Sequence, residues 1–251
     1  MEPPIPYTGS KRLWAKELTK IAETLPKRAK VLDAFGGTGL VSHVLKSTRP
    51  DLRVTCNDSD GYLREWLPHA EAVRRFWDKY HARKEWGDSE LEALARAVKS
   101  KELADKMFAE FVRQGPHSRN GQGNHRLSWP EAPENYCDGV ARIAKIWGPR
   151  CPIPVASYDF IILDPPYNTV KALDSTMYGT RRDDPPLSLW AAQEAFKSTT
   201  PAICWGRDGW LVDYDKAIKL AQKRASIAHN IEWMAGNPAA VKLGLKPSLF
   251  A

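Results

Sequence analysis

Between residues 29 and 58 the chain reads as strand, glycine-rich turn, helix, strand, and that order leaves few folds open. Ala29–Leu32 is a short apolar strand and Gly36-Gly37-Thr38-Gly39 a turn. Leu40, Val41, Val44 and Leu45 form one face of a helix, and Leu52–Cys56 is a second strand. Parallel strands need such a crossover, so the unit begins a doubly wound α/β sheet. Tyr158–Leu163 extends the pattern, because a continuous apolar run suits a strand buried on both faces.

Helical spacing of Leu13, Trp14, Leu18, Ile21 and Leu25 predicts a helix over Lys11–Leu25, closed by Pro26. Later expectations are a helix at Leu187–Lys197, a strand at Ala202–Trp205, a helix at Asp213–Arg224 and a strand at Ile231–Met234. From Gly61 to Phe111 the alternation gives way to helical spacing, with Trp66 and Trp77 expected in a core. A loop rich in Gly, Pro, Asn, His and Arg follows, from Gln114 to Pro133. The domain reading is therefore an α/β catalytic domain, 1–61 and 134–251, with a helical insertion at 62–133. The 84 residues after Tyr167 are few for the remaining sheet and leave an abbreviated rear sheet open.

Composition narrows the function classes. The chain has 251 residues, 43% of them hydrophobic, which is enough for a core and argues against general disorder. A net charge of +7 favours a polyanionic partner. The four cysteines contain no CxxC pair and the histidines no ligand spacing, so the expectation is a reduced, cytoplasmic protein with no metal. No apolar run is long enough to span a membrane, and the first residues lack the apolar core of a signal peptide.

Three segments carry chemistry. In Asp33-Ala34-Phe35-Gly36-Gly37-Thr38-Gly39 a strand ends on a carboxylate and enters glycines that let backbone approach a ligand closely. A plain structural turn or a dinucleotide site shares that pattern. The second strand leads to Asp58, roughly 20 residues on, where a carboxylate can accept hydrogen bonds from ribose hydroxyls in NAD and adenosyl cofactors alike. The third is Asp164-Pro165-Pro166-Tyr167, entered directly from a buried strand. The prolines remove backbone donors and hold the chain extended, leaving a carbonyl beside the Asp164 carboxylate. Two acceptors and an aromatic ring suit an exocyclic amino group on a flat base.

With these segments in this order, the chain resembles the Dam-type, alpha-class N6-adenine DNA methyltransferases. Asp164–Tyr167 matches their catalytic tetrapeptide without a change, and Asp33–Gly39 resembles their cofactor loop. Asn57-Asp58-Ser59-Asp60 is similar to their ribose-binding element. Pro6-Tyr7-Thr8-Gly9-Ser10-Lys11-Arg12 resembles the segment that touches the methionine part of the cofactor. The resemblance covers about residues 1–65 and 134–170. It implies a Rossmann-like fold that takes S-adenosylmethionine, with Tyr7, Lys11, Asp33, Phe35, Gly36, Gly37, Gly39, Asp58 and Asp138 at the cofactor. It also implies Asp164, Pro165, Pro166 and Tyr167 at the target base. At Gly139, next to Asp138, the family usually carries an aromatic residue.

By the same resemblance the insertion is the DNA reader. In its loop Arg119, Asn120 and Arg126 have side chains able to read base edges or grip phosphates, against the plain alternative of a solvated loop. Double-stranded DNA is the expected partner, with base flipping, and a monomer or weak dimer would suffice. The tetrapeptide's acceptor logic serves any exocyclic amino group. An RNA N6-adenine or DNA N4-cytosine methyltransferase therefore stays open, as does a silent DNA-binding protein on the same fold. A dehydrogenase is more remote, since no hydride-transfer acid or base is evident. A solitary modification enzyme is the simpler expectation beside a restriction system.

Overall fold

Every strand of the sheet centre is short, apolar and buried on both sides, so the chain has to cover both faces with helices. A computed structural model describes residues 11–58, 63–64, 139–147, 152–165, 184–207, 216–224 and 231–251. Within it lie β1 (Lys30–Asp33), β2 (Arg53–Asn57), β3 (Arg142–Ala144), β4 (Phe160–Leu163), β5 (Ala202–Arg207), β6 (Ile218–Arg224) and β7 (Ile231–Gly236). They form a seven-stranded sheet in the order β3-β2-β1-β4-β5-β7-β6. Strands β3 to β5 run parallel, and β7 is antiparallel to both β5 and β6.

Alternate residues of the central strands feed two cores. Val31, Phe160, Ile162, Ile203, Trp205 and Met234 meet Leu18, Ile21, Leu40, Val44 and Leu45, which come from helices α1 (Ala15–Thr24) and α2 (Leu40–Thr48). Leu32, Ile161, Leu163, Ala202, Cys204 and Ala235 meet Ala191, Ala192, Ala195 and Phe196 of α3 (Asp184–Lys197) on the opposite face. This is the doubly wound, Rossmann-like arrangement expected. Full burial of each large side chain contributes about 1.5–3 kcal/mol, so the fold does not depend on any single one.

The first predicted helix opens with a 3₁₀ turn, Lys11–Trp14, before α1 begins. Two expectations differ from the structure, and two elements are additional. Residues 213–224 were expected as a helix, but 218–224 are edge strand β6. Helix-forming Lys, Ala and Gln there are overruled by pairing with β7, and a register shift between Lys219 and Ala221 breaks the alternation that would have marked a strand. The rear sheet is not abbreviated: β6 and β7 pair directly and bring the described sheet to seven strands. Strand β3 and a short helix, α4 (Pro238–Lys242), were not anticipated. Apart from the helical residues 63 and 64, the 62–133 segment with Trp66 and Trp77 lies outside the described residues.

Candidate active site at the sheet switch point

From β1 the strand order runs outward through β2 and β3 on one side and through β4 and β5 on the other. The winding reverses between β1 and β4, and open α/β sheets bind ligands in the crevice beyond the carboxyl ends of the strands there. Asp33 is the last residue of β1, Asp164 follows the last residue of β4, and Asp58 follows the last of β2. Three predicted carboxylates therefore share one edge of the sheet.

The glycine turn sits on that edge because little else fits. Gly36 donates its N–H to the Asn57 carbonyl, and a Cβ built there would lie 2.3 Å from Cys56 Sγ and 3.0 Å from Asn57 O. Gly37 and Gly39 have φ of 51° and 72°, a region that L side chains avoid. The Asn57 amide ties the turn to its neighbours. It donates to the Ala34 and Trp147 carbonyls and accepts from the Ile146 and Trp147 N–H groups. Trp147 adds an indole hydrogen bond to the Ala34 carbonyl at 2.9 Å and packs edge-on against half-buried Phe35.

Asp33 is buried and accepts the Ser42 hydroxyl at 2.8 Å. Burial raises its pKa to about 6; the Ser42 hydrogen bond opposes the rise and the charge of Asp164 adds to it. Asp58 is also buried, and accepts the backbone N–H of Arg64 at 3.0 Å. Burial pushes the thiols of Cys56 and Cys204 well up, which removes both as nucleophiles.

Lys11 reaches the same edge from the far end of the sequence. Its buried ammonium lies 2.6 Å from Asp164 Oδ2 and 3.4 Å from Glu232 Oε1. Burial alone would lower its pKa, but the two carboxylates reverse this and leave it above the ordinary lysine value. Glu232 accepts the indole N–H of Trp14, which packs edge-on against Trp205. Trp205 in turn lies beneath the Lys11 ammonium, 5.8 Å from ring centre to nitrogen. Sequence reasoning named Lys11 and Asp164 for separate tasks and missed both their pairing and Glu232. A lone acid in an apolar strand, Ile231-Glu232-Trp233-Met234, was the available signal.

Lys11, Asp33, Phe35, Gly36, Gly37, Gly39, Asp58, Asp164 and half-exposed or buried neighbours such as Pro165 thus gather at one edge, Pro165 itself being buried. Tyr7, Asp138, Pro166, Tyr167, Arg119, Asn120 and Arg126 lie outside the described residues. At Gly139 a side chain has no room: a Cβ there would fall 2.2 Å from His43 Nδ1. The donor set suits S-adenosylmethionine, with carboxylates for its ammonium and ribose hydroxyls and a glycine turn for close approach.

No helix among the described residues is long and apolar enough to cross a membrane. The chain matches no protein-family model. Over 76 residues, 29% of the chain, it is 37% identical to an inferred methyltransferase of Haemophilus influenzae, and it spans about a quarter of that protein's length (25%). Looser likenesses join it to solved structures. One is an inferred methylase from H. influenzae, with TM-score 0.39, 12% identity and coverage of 92% of this chain and 98% of the other. Another is TrmN from Thermus thermophilus, with TM-score 0.40, 12% identity and coverage of 91% and 51%. Overlaps that loose carry no argument about chemistry. The chain is thus similar, along part of its length, to a methyltransferase, and its sheet has the Rossmann-like form that its own sequence predicts.

Proposed function

We propose that the protein transfers a methyl group from S-adenosylmethionine to the exocyclic N6 amino group of adenine in duplex DNA. The observation that carries this reading is the placement of Asp164 and Pro165 at the switch point, beside Asp33 and the glycine turn. Partial similarity to a methyltransferase supports the reaction class. The adenine and the DNA rest on the intact Asp164-Pro165-Pro166-Tyr167 segment and the family resemblance.

The amino nitrogen of adenine shares its lone pair with the ring and is a weak nucleophile. Asp164 and the Pro165 carbonyl, each accepting one N–H, draw that nitrogen toward tetrahedral geometry. This frees the lone pair for in-line attack. When bound, S-adenosylmethionine would supply an electrophilic methyl, its sulfonium leaving as a neutral thioether as the N–C bond forms, and the methylated nitrogen would then lose one N–H proton to water. Asp33 and Asp58 orient it from the ends of β1 and β2. The target base leaves the duplex stack to reach the site, and Tyr167 stacks on it, an interaction of about 1–3 kcal/mol. The 62–133 segment, with Arg119, Asn120 and Arg126, reads the DNA, and the protein acts as a monomer or weak dimer.

The test is transfer from labelled S-adenosylmethionine to unmethylated duplex DNA and, in parallel, to RNA, with the modified nucleoside identified by mass. N6-methyladenine in DNA supports the proposal. Label on cytosine or in RNA replaces the substrate. Cofactor binding without transfer to any polymer sinks the enzyme reading in favour of a silent binding protein.

A further inference from the structure

One buried ammonium needs one counter-charge, yet among the described residues two carboxylates lie beside Lys11: Asp164 at 2.6 Å and Glu232 at 3.4 Å. Both carboxylates keep some exposure, 17% for Asp164 and 15% for Glu232, while the ammonium between them is buried. Glu232 is also fixed in place. Its Oε2 accepts the Trp14 indole N–H while Oε1 faces Lys11. It sits opposite Arg207 of β5 and Lys223 of β6 in the sheet register. The Lys223 ammonium is engaged by the Leu13 carbonyl and Glu17.

We propose that Glu232 is a positioning residue: it keeps the Lys11 ammonium balanced while Asp164 turns its carboxylate to the substrate's amino group. This inference rests on the proposed function, in which Asp164 accepts that group. A carboxylate already accepting a short bond from an ammonium is a weakened acceptor for an amine N–H. Lys11 holds Asp164 through Oδ2, and turning that carboxylate toward the substrate draws counter-charge away from a buried ammonium, which is unfavourable. Glu232 gives Lys11 a second anion within reach, so the exchange is a small movement between two partners. Glu232 acts through Lys11, not on the reacting atoms.

Glu232→Gln keeps the shape, and an oxygen for Trp14, while removing the charge. Among the described residues, Asp164 from the end of β4 and Glu232 from β7 lie against the Lys11 ammonium, Trp205 packs beneath it, and Trp14 holds Glu232. Titration of Lys11, followed through its ε-carbon by NMR and assigned with Lys11→Arg, should move to lower pH in the variant. An unmoved titration overturns the proposal. In single-turnover transfer the rate should fall about 10- to 100-fold, the loss of one charge-assisted contact, with cofactor affinity held within about threefold. Glu232→Asp, which keeps the charge, should recover part of the rate, and Glu232→Met, which removes it, supplies the same two readings should the Gln variant not fold. An unchanged rate in Glu232→Gln, beside an active wild type, overturns the role. A wild type inactive on every polymer overturns the proposed function, and this role with it, and is told apart by the wild-type lane alone.

Discussion

Asp33 ends β1 and Asp164 follows the last residue of β4, its neighbour in the sheet, so two carboxylates flank the place where the winding reverses. Both are polar groups that the hydrophobic cores on either face cannot satisfy. Ser42 donates its hydroxyl to Asp33, and the Lys11 ammonium meets Asp164.

Asp33 makes stability depend on pH. Its pKa in the folded chain is about 6, raised from 3.8 chiefly by burial. A raised folded value means that the stabilising contribution is complete below about pH 4 and is lost as pH rises through about 6. Ionised Asp33 then costs about 3 kcal/mol. Asp33→Asn should therefore unfold at higher urea than wild type near pH 8, with the difference vanishing near pH 4. Cofactor affinity should fall in the same variant. Equal gains at both pH values would remove ionisation as the cause.

Asp164→Asn should lower methyl transfer by about 100-fold or more while cofactor affinity changes little, because the acceptor it loses acts on the amino group. Isothermal titration with S-adenosylmethionine, beside the labelled transfer assay, separates the two effects. Loss of both together would assign Asp164 to cofactor binding instead.

Lys11→Met leaves Asp164 and Glu232 facing each other without their shared cation. The expected loss of unfolding free energy is about 3–5 kcal/mol. Adding Glu232→Gln should restore part of it, with a coupling of about 1–3 kcal/mol in a denaturant-based double-mutant cycle. Strict additivity would mean that the two groups do not feel each other.

Gly36→Ala places a methyl group against Cys56 Sγ and the Asn57 carbonyl. Overpacking of this kind costs about 1–3 kcal/mol. Cys56→Ala removes the nearer obstacle and leaves the backbone one, so the double variant should recover part of the loss in thermal unfolding. No recovery would place the strain in the backbone alone.

Much of this arrangement was legible from local pattern. The βαβ unit, the apolar strand before Asp164 and the helix that begins near Lys11 all follow from short-range periodicity. What stayed hidden depends on distant pairing. β6 carries helix-forming residues and becomes a strand only because β7 lies beside it. Glu232 gains a meaning only when folding brings it to Lys11. Asn57 was noticed as a neighbour of Asp58, yet its four-way tie to the glycine turn and Trp147 has no signature in spacing.

The reversed strand also changes who can reach the ligand edge. A parallel strand can offer that edge only its final residues, as β1 offers Asp33. β7 arrives there at its beginning, with Glu232 set against Arg207 at the end of β5. The sheet thereby recruits a side chain from the start of a strand, and the residues beyond it, Met234 and Ala235, are free to serve only the two cores. Site and packing are written into separate halves of one short segment, so the first half can vary with the chemistry while the second keeps the fold.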